Sequence, residues 1–254
     1  MKAVAFLLSL LSMVLPVYSQ VKTPVQRIEP PPVTESRQAV VVVTKDWSAV
    51  TGTARLFERK YTSSAWKAVG EEFPIVVGRN GMEWSADFRL PKAPPARKRE
   101  GDGKSPAGIF PLTSVFGTEE KAAAITVPYT KLDEFTECVD DIKSSHYNTI
   151  VDRMKVGNFD WDSSENMLAV GPDYGLGVFV AYNTFPIIRG NGSCIFLHVW
   201  KNAETGTAGC TAMERSNLER ITNWLRSENN PYLIQMPAGE YNNIRSKWKF
   251  PKLK

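Results

Sequence analysis

Two side chains in this sequence carry the chemistry of a nucleophile and its base at short range. His198 interrupts the apolar run Ile195-Phe196-Leu197-His198-Val199-Trp200, and Cys210 sits in the small-residue loop Thr207-Ala208-Gly209-Cys210-Thr211. A thiol attacks a carbonyl carbon as its thiolate, and a neighbouring imidazole that takes the proton brings the thiol pKa from about 8.5 toward neutrality. Gly209 allows a sharp backbone turn, so N–H groups of the loop from Gly209 to Thr211 are expected to face the oxygen of a tetrahedral intermediate. The same residues also suit a plain core, with a hydrogen-bonded strand histidine and a cysteine as small filler. Taken alone, the pattern leaves both readings open. A serine nucleophile lacks its frame: Gly190-Asn191-Gly192-Ser193 does not match the Gly-x-Ser-x-Gly elbow, and no histidine follows it at the required place. His146, the other histidine, lies in the polar stretch Ser144-Ser145-His146-Tyr147-Asn148 and is expected to be dispensable for the chemistry.

The elements that must position these groups read as short strands. Residues 40–44, 53–59 and 73–77, the last ending at Gly78, have strand composition, and 178–182 and 195–200 read as buried strands. Alternation along the last of these puts Phe196, His198 and Trp200 on one face, with the imidazole between aromatic walls. Ser216-Asn217-Leu218-Glu219 has the form of a capping box, with Leu218, Ile221 and Leu225 following at helical spacing and Asn229-Asn230-Pro231 as the stop. Residues 232–236 return as a strand. The expected fold class is mainly β with short helices, α+β.

Composition sets the context. With 43% hydrophobic residues, 254 residues suffice for one sizeable core. Lys2 followed by an apolar run over 3–15, with Val17 and Ser19 at the cleavage spacing, predicts a signal peptide over 1–19 and export to the periplasm or cell wall. That run falls short of the ~20 residues that span a bilayer, so no stable membrane span is expected. Residues 20–38 read as a Pro-rich linker, 39–240 as the catalytic domain and 241–254 as a solvated basic tail. The formal charge of +4 and the lack of any recognition motif give no support to nucleic-acid binding. Residues 91–108 read as a long polar loop. Gly103-Lys104-Ser105 inside it resembles the end of a phosphate loop, but Lys98 stands where a glycine is needed and Pro106 opposes a helix start. Asp140, Asp141, Asp160, Asp162 and Glu165 fit no calcium loop and read as a solvated acidic surface.

A resemblance narrows the choice. Gly192-Ser193-Cys194-Ile195-Phe196-Leu197-His198 followed by Thr207-Ala208-Gly209-Cys210-Thr211-Ala212-Met213 resembles the signature of the L,D-transpeptidase (YkuD-type) catalytic domain, in which a strand histidine precedes a Ser/Thr-x-Gly-Cys loop. Ser105-Pro106-Ala107-Gly108-Ile109-Phe110 is similar to the family's entry into a core strand, and Pro74-Ile75-Val76-Val77-Gly78 to the strand before it. Cys138-Val139-Asp140-Asp141, Tyr147-Asn148 and Trp161 with Glu165 and Met167 look like a subgroup carrying an insertion. Two positions depart from the best-known pattern, Ala208 and Ala212, where other members carry polar side chains.

The resemblance implies a β-sandwich catalytic domain and acyl transfer on peptidoglycan stem peptides. Cys210 would be the nucleophile, His198 its base, and Gly209 and Thr211 part of the oxyanion loop, with no metal or organic cofactor. An L,D-carboxypeptidase or amidase with the same Cys/His site is the nearest alternative, and a non-catalytic wall-binding protein the next. A papain-like order is disfavoured because His198 precedes the cysteine. If Cys210 stays free for chemistry, Cys138 and Cys194 are the remaining pair for a disulfide in an oxidising compartment.

Overall fold

The structure is a computed structural model that describes residues 33–86 and 97–253. The signal peptide and most of the linker expected from the sequence lie outside the described residues, as does part of the polar loop. Thirteen strands, two helices and three single 3-10 turns make up the described chain. In order they are β1 (Gln38–Thr44), β2 (Thr51–Glu58), β3 (Lys67–Val76), β4 (Met82–Trp84), β5 (Ser105–Gly117), β6 (Tyr129–Lys131), β7 (Thr136–Val139), β8 (Ile150–Asp152), β9 (Ser164–Asn166), β10 (Leu176–Val180), β11 (Phe196–Val199), β12 (Thr211–Met213), α1 (Arg215–Trp224), β13 (Tyr232–Pro237) and α2 (Ala238–Trp248). This is the mainly β fold that the alternating apolar segments predict.

The main sheet runs β10-β11-β12-β3-β2-β1-β13-β5, and β5 pairs back onto β10, so the ladder closes on itself. Closure is made by one long strand: residues 108–111 of β5 pair with β13, and residues 112–117 turn to pair with β10. A closed ladder leaves no free edge around the ring. β1 lies between β2 and β13 and is buried at six of seven positions. Its run Ala39-Val40-Val41-Val42 therefore reads as continuous apolar sequence, with no polar alternation. Helix α1 presents Leu218 and Ile221, both fully buried, to this core.

Three expectations are corrected. The capping box does not form: the N-cap is Glu214 and α1 starts at Arg215, two residues earlier than an N-cap at Ser216 requires, and the carbonyl of Glu214 accepts the N–H groups of Asn217 and Leu218. A Ser-x-x-Glu match states only a local preference, and the exit direction of β12 sets the first turn. The supposed solvated tail is largely α2. Tyr241, Ile244 and Phe250 are buried, the Tyr241 hydroxyl donates to the Pro251 carbonyl, and Arg55 from β2 donates to Leu253. The basic residues mask a buried stripe of one residue per turn. At the other end the domain begins before residue 39: Val33 is buried, and the Arg59 guanidinium donates to the carbonyls of Val33, Thr34 and Ser36.

The segment between β6 and β10 forms a separate small sheet of order β8-β7-β9. Glu137 of β7 holds it together, accepting from Trp161 Nε1 (2.8 Å), Ser164 Oγ (2.7 Å) and Arg153 (3.1 Å). A disulfide joins Cys138 of β7 to Cys194, just before β11, with Cα atoms 6.0 Å apart.

Candidate active site

Strands β11 and β12 are parallel neighbours, with Leu197 opposite Thr211 and His198 opposite Ala212. Cys210 and Ala212 therefore share the face on which His198 stands, and the cysteine is a diagonal neighbour of the histidine. Both line one cavity of about 500 Å³, together with Tyr174, Glu165, Lys98 and Trp200. Ala212, one of the two departures from the expected motif, places only a methyl group across from the imidazole. Ala208, the other, is exposed at the mouth.

The thiol is 6% exposed and held on two sides. Phe196 N–H donates to Sγ (3.3 Å), and Sγ–H donates to the Cys194 carbonyl (3.3 Å). The backbone at Cys210 is fixed as firmly: its carbonyl accepts from Ser105 Oγ (2.7 Å) and Thr207 Oγ1 (2.6 Å). Ser105 Oγ in turn accepts from Gly78 N–H at 2.9 Å. Position 78 needs glycine, because a Cβ there would lie 2.4 Å from the Gly103 carbonyl oxygen. Thr207 is a local donor, three residues before Cys210, whereas the Ser105 donor has no local signal, since it stands 105 residues away.

Ser105→Ala would leave the buried Gly78 N–H without its acceptor and the Cys210 carbonyl with one donor. It is expected to lower unfolding stability by about 1–3 kcal/mol. Urea titration of the variant checks this, and an unchanged midpoint would contradict the assignment.

Gly209 is buried in the loop, but its N–H donates to Thr207 Oγ1 (3.1 Å) and so is engaged inside the turn. Thr211 departs from expectation. It is the first residue of β12, 2% exposed, and its hydroxyl is hydrogen-bonded to Oε1 of buried Gln235 at 2.5 Å, on the face away from the cavity. Strand alternation turns it inward as it turns Cys210 outward.

His198 is 7% exposed, with Nδ1 2.8 Å from the Val199 carbonyl. That contact assigns the ring proton to Nδ1 and leaves Nε2 as the acceptor of the neutral ring. Burial pushes the imidazole below its ordinary value, opposed by the Val199 carbonyl and by the Asp173 charge and backbone. The ring also packs edge-on against Tyr174, centroids 5.3 Å apart. The aromatic ring against the imidazole is thus Tyr174, for which the sequence carries no local signal. His146 stays outside, edge-on to Trp161.

The electrostatics of the thiol run opposite to the expected activation. Burial, and then the charge of Glu165, push Cys210 up to about 12, while the Phe196 N–H, the Tyr174 hydroxyl and Lys98 pull it down. In this geometry the thiol is protonated at neutral pH. Glu165, expected on a solvated acidic surface, is partly buried on β9 and accepts from the Tyr174 hydroxyl at 2.7 Å. Burial first, then the charges of Asp140 and Glu100, raise its carboxyl to about 7, against the Tyr174 hydrogen bond.

A closed β ladder with a thiol and an imidazole at one mouth defines a cysteine-bearing β domain, and comparison with known families gives it a lineage. The model of the YkuD family, the L,D-transpeptidase catalytic domain, matches residues 49–234, and the chain belongs to that family. It is thereby a member of a family of L,D-transpeptidase-type peptidoglycan enzymes. The match runs from the start of β2 into β13 and includes the small sheet. No curated protein matches the chain. Among the described residues no helix is long and apolar enough to cross a membrane.

Proposed function

We propose that this protein is an exported cysteine acyltransferase that performs L,D-transpeptidation on peptidoglycan stem peptides, with Cys210 as nucleophile and His198 as base. The observation that supports it most directly is the placement of a buried thiol and a neutral imidazole as diagonal neighbours on parallel strands lining one cavity, within a fold of this family. In this reading His198 Nε2 accepts the thiol proton while Nδ1–H stays on the Val199 carbonyl, which fixes the tautomer. Cys210 Sγ then attacks the carbonyl carbon between the L centre and the terminal D residue of a tetrapeptide stem. The tetrahedral intermediate collapses with departure of the D-amino acid, whose amine takes the proton from His198. The resulting thioester is resolved by an amine of a second stem. Residues 1–19 act as the export signal and the Pro-rich stretch that follows as the linker in this scheme.

The cavity carries both signs of charge, with Lys98, Arg79 and Lys201 facing Glu100, Asp140 and Asp173. Such a wall suits a substrate bearing carboxylates and an amine together, as a stem peptide does.

The test is incubation of the mature protein with purified tetrapeptide muropeptides. Release of D-alanine with cross-linked dimers is the expected result. D-alanine without dimers would assign hydrolysis in place of transfer, and no release would remove the acyl-transfer reading. In the same assay His198→Gln is expected to lower turnover by about 10²-fold or more while leaving the thiol titratable.

A further inference from the structure

The small sheet brings a second ionisable group to the thiol. Tyr174, 5% exposed, closes the 3-10 turn Gly171–Tyr174, and its ring is wedged between Phe116, Phe196 and His198. Its hydroxyl donates to Glu165 Oε2 and also reaches the sulfur of Cys210. Glu165 is not free to wander. It lies on β9 directly across from Cys138, and Cys138 is bonded to Cys194, the residue whose carbonyl accepts the Cys210 thiol. Carboxylate, phenol and thiol thus form a continuous line whose two ends are tied through one disulfide.

We propose that Glu165, acting through the Tyr174 hydroxyl, is a proton acceptor for the Cys210 thiol, so that the insertion supplies a second proton path beside His198. The proposal rests on the reading of Cys210 as nucleophile and adds residues to it. The S–H group turns from the Cys194 carbonyl to Tyr174 Oη; the S–H bond then breaks and its proton passes to Oη, while the Tyr174 O–H bond breaks and that proton passes to Glu165 Oε2. The electron pair stays on sulfur. One negative charge moves from carboxylate to thiolate, tyrosine ends neutral, and nothing else is consumed. Phe196 N–H and Lys98 sit where they favour the charge on sulfur.

The groups facing the relay set its pH range. Asp140, next to β7, and Glu100, in the loop of residues 97–104, disfavour charge on Glu165, as does burial, which comes first. Lys98 on that loop acts on the sulfur, and Asp173 on His198. An acceptor near 7 is protonated below that pH and cannot take the proton; above it, the carboxylate is available. The relay therefore operates as pH rises through about 7. His198 is held below its ordinary value and would titrate at lower pH.

The experiment is iodoacetamide alkylation of Cys210, mapped by mass, across a range from about pH 5 to about pH 9 in wild type, Glu165→Gln and Tyr174→Phe. Both substitutions keep side-chain volume. Wild type is expected to show an inflection near 7 that both variants lose, with alkylation above it slower by about tenfold. If both variants keep the inflection, or slow equally at every pH as a merely structural role would give, the relay is overturned while Cys210 remains the nucleophile. Should either variant fail to fold, wild type alone decides through infrared spectroscopy: a protonated-carboxyl band must disappear as pH passes about 7, and its absence overturns the proposal. A folded wild type whose Cys210 never alkylates would remove the nucleophile, and both readings with it.

Discussion

Cys210→Ser is expected to lower turnover of a tetrapeptide stem by on the order of 10³-fold or more with a stability change of less than about 1 kcal/mol. The hydroxyl retains both neighbours of the sulfur, since it can accept from Phe196 N–H and donate to the Cys194 carbonyl. What it lacks is nucleophilicity with acceptors of this strength: a serine hydroxyl is a far weaker acid than a thiol, and neither a buried imidazole nor a carboxyl near neutrality takes its proton readily. Cys210→Ala separates the two effects. It is equally inactive but also leaves Phe196 N–H without its sulfur acceptor, at a cost of about 1–2 kcal/mol. Steady-state rates paired with urea titrations of both variants check the prediction. A serine variant that turned over within tenfold of wild type would displace Cys210 from its role.

Reduction of the Cys138–Cys194 bridge should cost both stability and rate. The bridge closes a span of 56 residues, for which the chain-entropy estimate is about 4 kcal/mol. The larger consequence is local. Cys194 has a left-handed backbone (φ 54°), a conformation unfavourable for a side-chain-bearing residue, and its N–H is held by Asn148 Oδ1 at 3.0 Å. Asn148 also donates to the carbonyls of Tyr182 and Asn183, locking the insertion to the strand ends around β10 and β11. Without the bridge, Cys194 can relax to an extended conformation, and its carbonyl turns away from Sγ. Cys138→Ser, Cys194→Ser and the reduced protein are therefore expected to unfold at lower denaturant and to turn over at least about tenfold more slowly. Titration of thiols should find one in the native oxidised protein and three after full reduction. Equal stability and rate in the presence and absence of reductant would contradict this.

The sequence alone determined the elements whose burial follows from local pattern. The valine run of β1, the apolar stretches of β10, β11 and β13, and Leu218 and Ile221 of α1 with Leu225 just after it are buried where the pattern puts them. A two-residue or helical period states which face is apolar, and an apolar face has nowhere to go but the core. His198 and Cys210 come close because they stand on neighbouring parallel strands, a separation short enough for one motif to span.

What the tertiary structure decided involves partners far apart in the chain. Ser105 meets Cys210 because β5 runs beside the nucleophile loop, and Glu165 comes near Cys210 because the Cys138–Cys194 bridge ties the small sheet to the chain just before β11. No local pattern distinguishes Glu165 from the solvated acidic residues around it. The charge state of the thiol is equally a tertiary property. A short Cys-to-His spacing suggests an activated thiolate, but the sulfur is desolvated by Phe196 and Tyr174 and faces a carboxylate from another element. Desolvation and charge act through space, so the pKa of Cys210 depends on which strands close around it, and that is fixed only when the chain has folded.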